Sequence, residues 1–212
     1  MLSTTAQQKP ITRNEVILMS SSNLIFREDG TILIKNVVIS YPHLFEPYGQ
    51  GDGAKKYSAK FLLAKSTHKA DIVALNEFLA KTAMAKWKTK LPATNLALKN
   101  GELSGKEQEE AFFILSASES RRPSVIDADK SPIYPEDADE KMYPGTIVNV
   151  LIRFWEQDNQ YGRKINANLL AVQRVKDGER LAAGRANVDV DAVFDDVSSA
   201  FDDAGDDDGF GG

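Results

Sequence analysis

Two neighbouring segments alternate apolar and polar residues along most of their length, a period of two that suits strands and not helices. In Thr146–Trp155, Val148, Val150, Ile152 and Phe154 share one face while Asn149, Arg153 and Trp155 lie opposite. In Tyr161–Val175, Ile165, Ala167 and Leu169 alternate with Lys164, Asn166 and Asn168. Glu156–Gln160 supplies the turn, so the pair predicts a long hairpin with a core side and a wet side. Any fold for this chain must bury one face of that hairpin against a second layer.

The other elements fit the same sheet. Thr31–Ser40 is rich in β-branched residues and is expected to stop at Tyr41-Pro42, because proline has no N–H for a ladder. Phe45–Gly53 reads as a loop, marked by Pro47, Gly49, Gly51 and Gly53. Tyr57–Leu63 alternates again, with Tyr57, Ala59, Phe61 and Leu63 on one side. Lys69–Lys90 is the one convincing helix: Thr67 can cap it, Asp71 suits its first turn, and Ile72, Leu75, Leu79, Ala83 and Trp87 form a stripe. Lys81, Lys86, Lys88 and Lys90 gather toward its end, and Pro92 closes it. Gly101–Glu110 reads as a polar linker, Ala111–Ala117 as a short apolar strand, and Arg121–Gly145 as a long proline-rich loop. No strand–helix–strand repetition appears, so the expected fold is mainly β: an OB-like β-barrel with one inserted amphipathic helix and long loops. It is expected to span residues 31–185, after a leader over 1–30 in which Val16–Leu18 and Leu24–Phe26 are too short to assign.

Charge is segregated along the chain. Residues 186–212 hold nine Asp and no Lys, Arg or Glu, so the formal charge of −5 hides a body with 26 basic against 22 acidic residues, about +4. Such a composition cannot bury a core, and the segment is expected to be a disordered acidic tail. It ends with Asp202, Asp203, Asp206, Asp207 and Asp208 before Phe210, a single apolar anchor on an acidic thread. That pattern can dock on a basic-rimmed apolar pocket of a partner protein, or compete within the molecule for a basic groove. Both effects weaken with salt. The absence of cysteine excludes disulfides and thiolate metal sites, and no apolar run is long enough to cross a bilayer.

Catalytic signatures are missing. Gly49–Gly53 lacks the Gly-Lys-Ser/Thr ending of a phosphate-binding loop, and no nucleophile motif is present. His43 reads as structural or exposed. Asp127, Asp129, Glu136, Asp137, Asp139 and Glu140 could hold Mg²⁺ in a nuclease, but they crowd a proline-rich loop and read as solvated charge. The chain is therefore read as a non-enzyme needing no cofactor or metal.

Cations interleaved with aromatics fit a different task. Single strands are held by basic grooves in which rings stack on bases, each stack worth about 1–3 kcal/mol. Tyr41, Phe45 and Tyr48 flank a loop that leads to Lys55, Lys56, Tyr57 and Lys60. Arg121 and Arg122 open a second loop, and Arg153, Trp155, Tyr161, Arg163 and Lys164 surround the hairpin tip. Tyr48, Trp155 and Tyr161 are expected to stack and the lysines and arginines to meet phosphates, with Tyr57 completing the set. Phosphate contacts read no sequence, so contact with duplex DNA is expected alongside single-stranded DNA. Two other classes stay open: a metal-dependent nuclease or recombination annealase, and an interaction module driven by the tail alone.

Several stretches together resemble an OB-fold family of bacteriophage single-stranded DNA-binding proteins, long described only as a domain of unknown function. They are Asn36–Pro47, Tyr57–Leu63, Arg122–Asp127, Tyr143–Gly145, and Val148–Trp155 through Asn159–Gly162 to Asn168–Gln173 and Asp177–Arg180. The resemblance implies DNA binding without catalysis, a part in phage replication, recombination or repair, and the cytoplasm of the infected bacterial host. It also implies that replication or recombination proteins meet the acidic tail; it leaves the oligomeric state open. Phe210 is followed by Gly211-Gly212 instead of ending the chain as in bacterial and phage single-strand binders generally.

Overall fold

The computed structural model describes residues 23–49 and 53–181. Most of the predicted leader, Gly51 of the predicted loop, and the whole tail with Asp202, Asp203, Asp206, Asp207, Asp208 and Phe210 lie outside them. Within the described residues, β1 (Leu24–Phe26), β2 (Ile32–Tyr48), β3 (Lys56–Ala64), β4 (Leu98–Asn100), β5 (Phe112–Glu119), β6 (Ser124–Ile126), β7 (Ile147–Asn159) and β8 (Gly162–Lys176) form one sheet. Its order is β4-β5-β3-β2-β7-β8-β6, with β1 on β2. Helix α1 (Lys69–Trp87) separates β3 from β4, and a single-turn helix α2 (Ala138–Lys141) precedes β7. The mainly β, OB-like expectation holds with one refinement. The ladder itself does not close, and the curl is completed where Leu96, just before β4, bridges Ile165 of β8.

The alternation fixed the core. Val148, Val150 and Ile152 from β7, Ile165, Ala167 and Leu169 from β8, and Ala59, Phe61 and Leu63 from β3 are all buried. Burying each of the larger side chains among them stabilises by about 1.5–3 kcal/mol, so one register shift would forfeit the whole set. Ile72, Leu75, Leu79 and Ala83 bury the stripe of α1 against the sheet, and Phe78 meets Phe26 and Phe154 at 5.3 and 5.9 Å.

Several local expectations are corrected. Pro42 does not end β2. Its missing N–H falls in a bulge between Ser40 and His43, where the ladder to β3 is already broken, so nothing is lost. A second irregularity sets six residues of β2, His43 to Tyr48, against three of β3, Ser58 to Lys56. The predicted loop from Phe45 is therefore strand as far as Tyr48. A third bulge places Asn36 at φ 56, a left-handed value that Asn tolerates, with its N–H held by Asn149 Oδ1 at 3.1 Å. Leu24–Phe26, within the predicted leader, pairs with β2. The turn expected at Glu156–Gln160 is mostly strand, since β7 and β8 pair out to Asn159 and Gly162.

Helix α1 stops at Trp87, before the expected Lys90, because Lys88 adopts a left-handed φ of 57 and donates its N–H to the Met84 carbonyl. Pro92 comes too late to close it. Thr67 does not cap it either. Its hydroxyl lies 3.0 Å from Nδ1 of His68, whose Nε2 lies 3.1 Å from the Lys35 carbonyl. Asp71 is buried in the first turn, and burial pushes its carboxyl up against the opposing pull of His68.

The predicted linker Gly101–Glu110 is two short 3₁₀ turns, 101–104 and 107–109, packed on β5. Gly101 is buried there, and a Cβ on it would lie 1.8 Å from the Glu109 carbonyl oxygen. The predicted long loop Arg121–Gly145 contains β6, which pairs in parallel with β8. Asp127, read as solvated charge, instead bridges Lys141 at 3.2 Å and Arg174 at 3.3 Å. The Ala128 N–H above all, then Lys141 and Arg174, hold its carboxyl below the ordinary range. A depressed carboxylate adds stability above its unfolded pKa and loses it as pH falls through the folded value. Asp127→Ala is expected to cost about 1–3 kcal/mol at neutral pH. Denaturant melts of both proteins should converge as the pH drops into the acid range; a gap that persists at low pH would point to packing and not charge.

Candidate nucleic-acid interface

The curl of β3, β5 and β8 leaves a groove of ≈ 670 Å³ between the β2–β3 pair, the segment before β4 and the hairpin of β7 and β8. Its floor is small and polar: Ser58, Ser116, Ser118 and Asn166, with Ala59 and Ala117 between them. Its rim carries Lys56 and Lys60 from β3, Lys99 from β4, Lys106 from the 3₁₀ segment, and Lys164 from β8. No Asp or Glu stands among its described lining residues. Five ammonium groups around a carboxylate-free trough make a site for a polyanion.

Aromatic faces stand above that floor. Tyr41, Tyr48 and Trp155 line the groove and are 47%, 51% and 38% exposed, far more than rings that serve a core. Trp155 lies opposite Asn166 in the β7–β8 register, on the face turned away from Val150 and Ile152. Tyr41 is held at φ 48 by the β2 bulge, a conformation costly for a bulky residue and concentrated at functional sites. Lys60 and Lys106 sit over its ring, their ammonium groups 4.9 and 5.4 Å from its centroid. Lys106 also donates to the Tyr41 hydroxyl at 3.2 Å, and that bond, with the Glu109 carboxylate, raises its pKa, so it stays charged at any physiological pH. His43 stacks on Tyr48 with ring centroids 4.4 Å apart.

The structure thus brings Tyr48, Lys56, Lys60, Trp155 and Lys164 into one groove. The other residues expected to bind lie elsewhere. Lys55 is exposed just before β3, Tyr57 is half-buried opposite Glu119, and neither lines the groove. Arg153 donates to the Asp29 carbonyl at 3.2 Å, and Arg163 faces Asp158 at 3.5 Å. Tyr161 is 73% exposed at the hairpin turn. Arg121 is exposed, and Arg122 lies 5.0 Å over the Phe45 ring. Three groove residues escaped the sequence selection. Tyr41 was visible as an aromatic beside the others, but the expected end of the strand hid its strained setting. Lys99 and Lys106 fall at and beyond a three-residue strand, too short for periodicity to register.

Comparisons agree with this geometry. A family model described as the single-stranded DNA-binding protein of Enterobacter phage Enc34 matches residues 30–206. Protein p50 of Acyrthosiphon pisum secondary endosymbiont phage 1 is 32% identical over 182 residues, which is 80% of this chain and 95% of p50. The solved structure of the Enc34 single-stranded DNA-binding protein in complex with single-stranded DNA is similar at a TM-score of 0.71 and 36% identity, covering 76% of this chain and 95% of that one. A second structure of the Enc34 protein gives 0.70 and 35% over 82% and 96%. With a match across most of its length, this chain belongs to the Enc34 family of phage single-stranded DNA-binding proteins.

Proposed function

We propose that the protein binds single-stranded DNA along the lysine-rimmed groove, with little preference for sequence. The observation that carries this reading is the joint placement of five lysines and three exposed rings in one trough without a carboxylate. Phosphates pair with Lys56, Lys60, Lys99, Lys106 and Lys164, and bases stack on Tyr41, Tyr48 and Trp155. The floor offers serine hydroxyls and amides too few and too adaptable to read an ordered sequence, as expected of a stacking platform. Duplex contacts through the same lysines are weaker, because paired bases cannot reach the rings. The Enc34 relative, solved with single-stranded DNA, supports the assignment. Binding of this kind serves phage replication, recombination or repair in the host cytoplasm. Among the described residues no helix is long and apolar enough to cross a membrane.

The nine-Asp tail competes with DNA for the basic body and offers Phe210 to partner proteins, a role supported by its composition. The nuclease alternative is not favoured by any observation: Asp127 is engaged by Lys141 and Arg174, and Asp129 by Ser131.

Tryptophan fluorescence tests both parts. Trp155 lines the groove, whereas Trp87 donates its indole N–H to Asp158 at 2.8 Å outside it. Oligo-dT is expected to quench the emission, and Trp155→Phe to abolish most of that change. Truncation after Arg185 should tighten binding several-fold at low salt, with the gap closing as salt rises. Quenching that survives Trp155→Phe would place the DNA elsewhere, and equal low-salt affinities of the two lengths would remove the competing tail.

A further inference from the structure

A second hollow of ≈ 410 Å³ opens beside the groove, and Tyr41 and His43 stand in the walls of both. Its floor includes Met142 and Tyr143, both buried, and its sides include Pro42 and Phe45. The volume suits a small organic group, which usually occupies pockets of about 300–1,000 Å³. Tyr143 is locked in place: its hydroxyl donates to the Gly178 carbonyl at 3.0 Å and accepts the Gly178 N–H at 3.2 Å. A ring fixed in this way forms a rigid wall that needs no further ordering on binding.

One guanidinium group lines this slot, and a second stands over one of its wall rings. Arg180 lies 4.0 Å from the centroid of the Tyr143 ring, and Arg122 lies 5.0 Å from that of Phe45. Within the described lining Arg180 is balanced by the exposed Asp139, so the net positive charge at this end comes from Arg122 over Phe45. A guanidinium resting on an aromatic face can still turn N–H groups toward a phosphate, although Arg180 commits one, at 3.4 Å, to the Asp139 carbonyl. Arg122, one of the cations that the groove leaves out, therefore stands beside a hollow that shares two wall residues with the groove.

Resting on the reading that the groove holds single-stranded DNA, we propose that the strand passes Tyr41 and seats a further base in this slot. The base lies against Phe45 and the wall that Tyr143 and its covering Arg180 form, and its flanking phosphates meet the outward N–H groups of Arg122 and Arg180. Tyr41, held out by the bulge, then divides successive bases between the two hollows. The shared wall favours a continuing strand over a separate peptide, because an occupant of the groove reaches the slot without leaving the surface.

The test is an oligo-dT ladder of about 4 to 16 nucleotides, the span of site sizes for such folds, bound to the full chain and to Arg122→Glu/Arg180→Glu. The shortest oligomers, which fill only the groove, should bind both proteins within about twofold. The longest should bind the variant roughly tenfold more weakly, the order of one lost stack. Their salt dependence should be shallower by about 1.4, two phosphate contacts at 0.7 each. An unchanged long-oligomer affinity overturns the proposal, as does an equal loss at every length with a lowered melting temperature. If a peptide of residues 201–212 binds the wild-type protein and not the variant while the ladder is unchanged, the slot is a peptide seat and the base assignment falls. Failure of the wild-type chain to bind any length would instead sink the reading of the groove itself.

Discussion

Tyr41→Ala combined with Trp155→Ala is expected to weaken oligo-dT binding by about 2–6 kcal/mol, two stacks at 1–3 kcal/mol each. The two rings come from different strands, Tyr41 from the β2 bulge and Trp155 from β7; on the proposed reading each stacks on its own base, and their effects should nearly add. Neither ring fills the core, so the melting temperature should fall little. Tyr41→Ala also frees Lys60 and Lys106 from the ring they share, which leaves the phosphate contacts present but less well placed. Fluorescence anisotropy with a labelled oligo-dT measures the change. Affinity that is unaltered while the melting temperature drops would show that the rings serve folding and that the strand lies elsewhere.

Gly145→Ala is expected to destabilise the fold by about 2–5 kcal/mol, combining an unfavourable backbone with overpacking. Gly145 has φ 115, where side chains are strained, and a Cβ there would lie 1.9 Å from the Glu179 carbonyl oxygen. The backbone leaves no slack on that side. The Gly145 N–H bonds the Ile39 carbonyl at 2.8 Å, and Leu181 N–H bonds the Pro144 carbonyl at 2.9 Å. Residues 178–181 are thereby clasped to the start of β7, and with them Arg180 at the second slot. Thermal unfolding followed by circular dichroism should show the loss as a melting point lower by roughly 10 °C. A variant that melts like the wild type would mean that this segment yields freely, and the fixed placement of Arg180 would go with it.

The strands were legible where alternation ran long. β3, β7 and β8 each repeat apolar residues at every second position, and burial followed that phase in Ala59, Phe61 and Leu63 as in Ile165, Ala167 and Leu169. The stripe of α1 was equally readable. What misled was punctuation. Pro42 signals an end, yet a bulge accommodates it, because the ladder there has no bond to lose. Gly101 signals a flexible linker, yet it is where the backbones of 101 and 109 meet too closely for any side chain. Both signals are local, and both were overruled by neighbours distant in sequence.

The residues alone determined a mainly β body with a buried hairpin face, an amphipathic helix, and a basic domain joined to an acidic end, since each follows from periodicity or charge along the chain. Which cations share a surface was decided by tertiary structure. Lys99 and Lys106 join Lys56, Lys60 and Lys164 only because β4 and the turns after it fold across to β8, while Arg153 and Arg163 are drawn to Asp29 and Asp158. Side-chain chemistry is written in the sequence one residue at a time, but a continuous field for a polyanion depends on distances between strands, and those exist only after the sheet has curled.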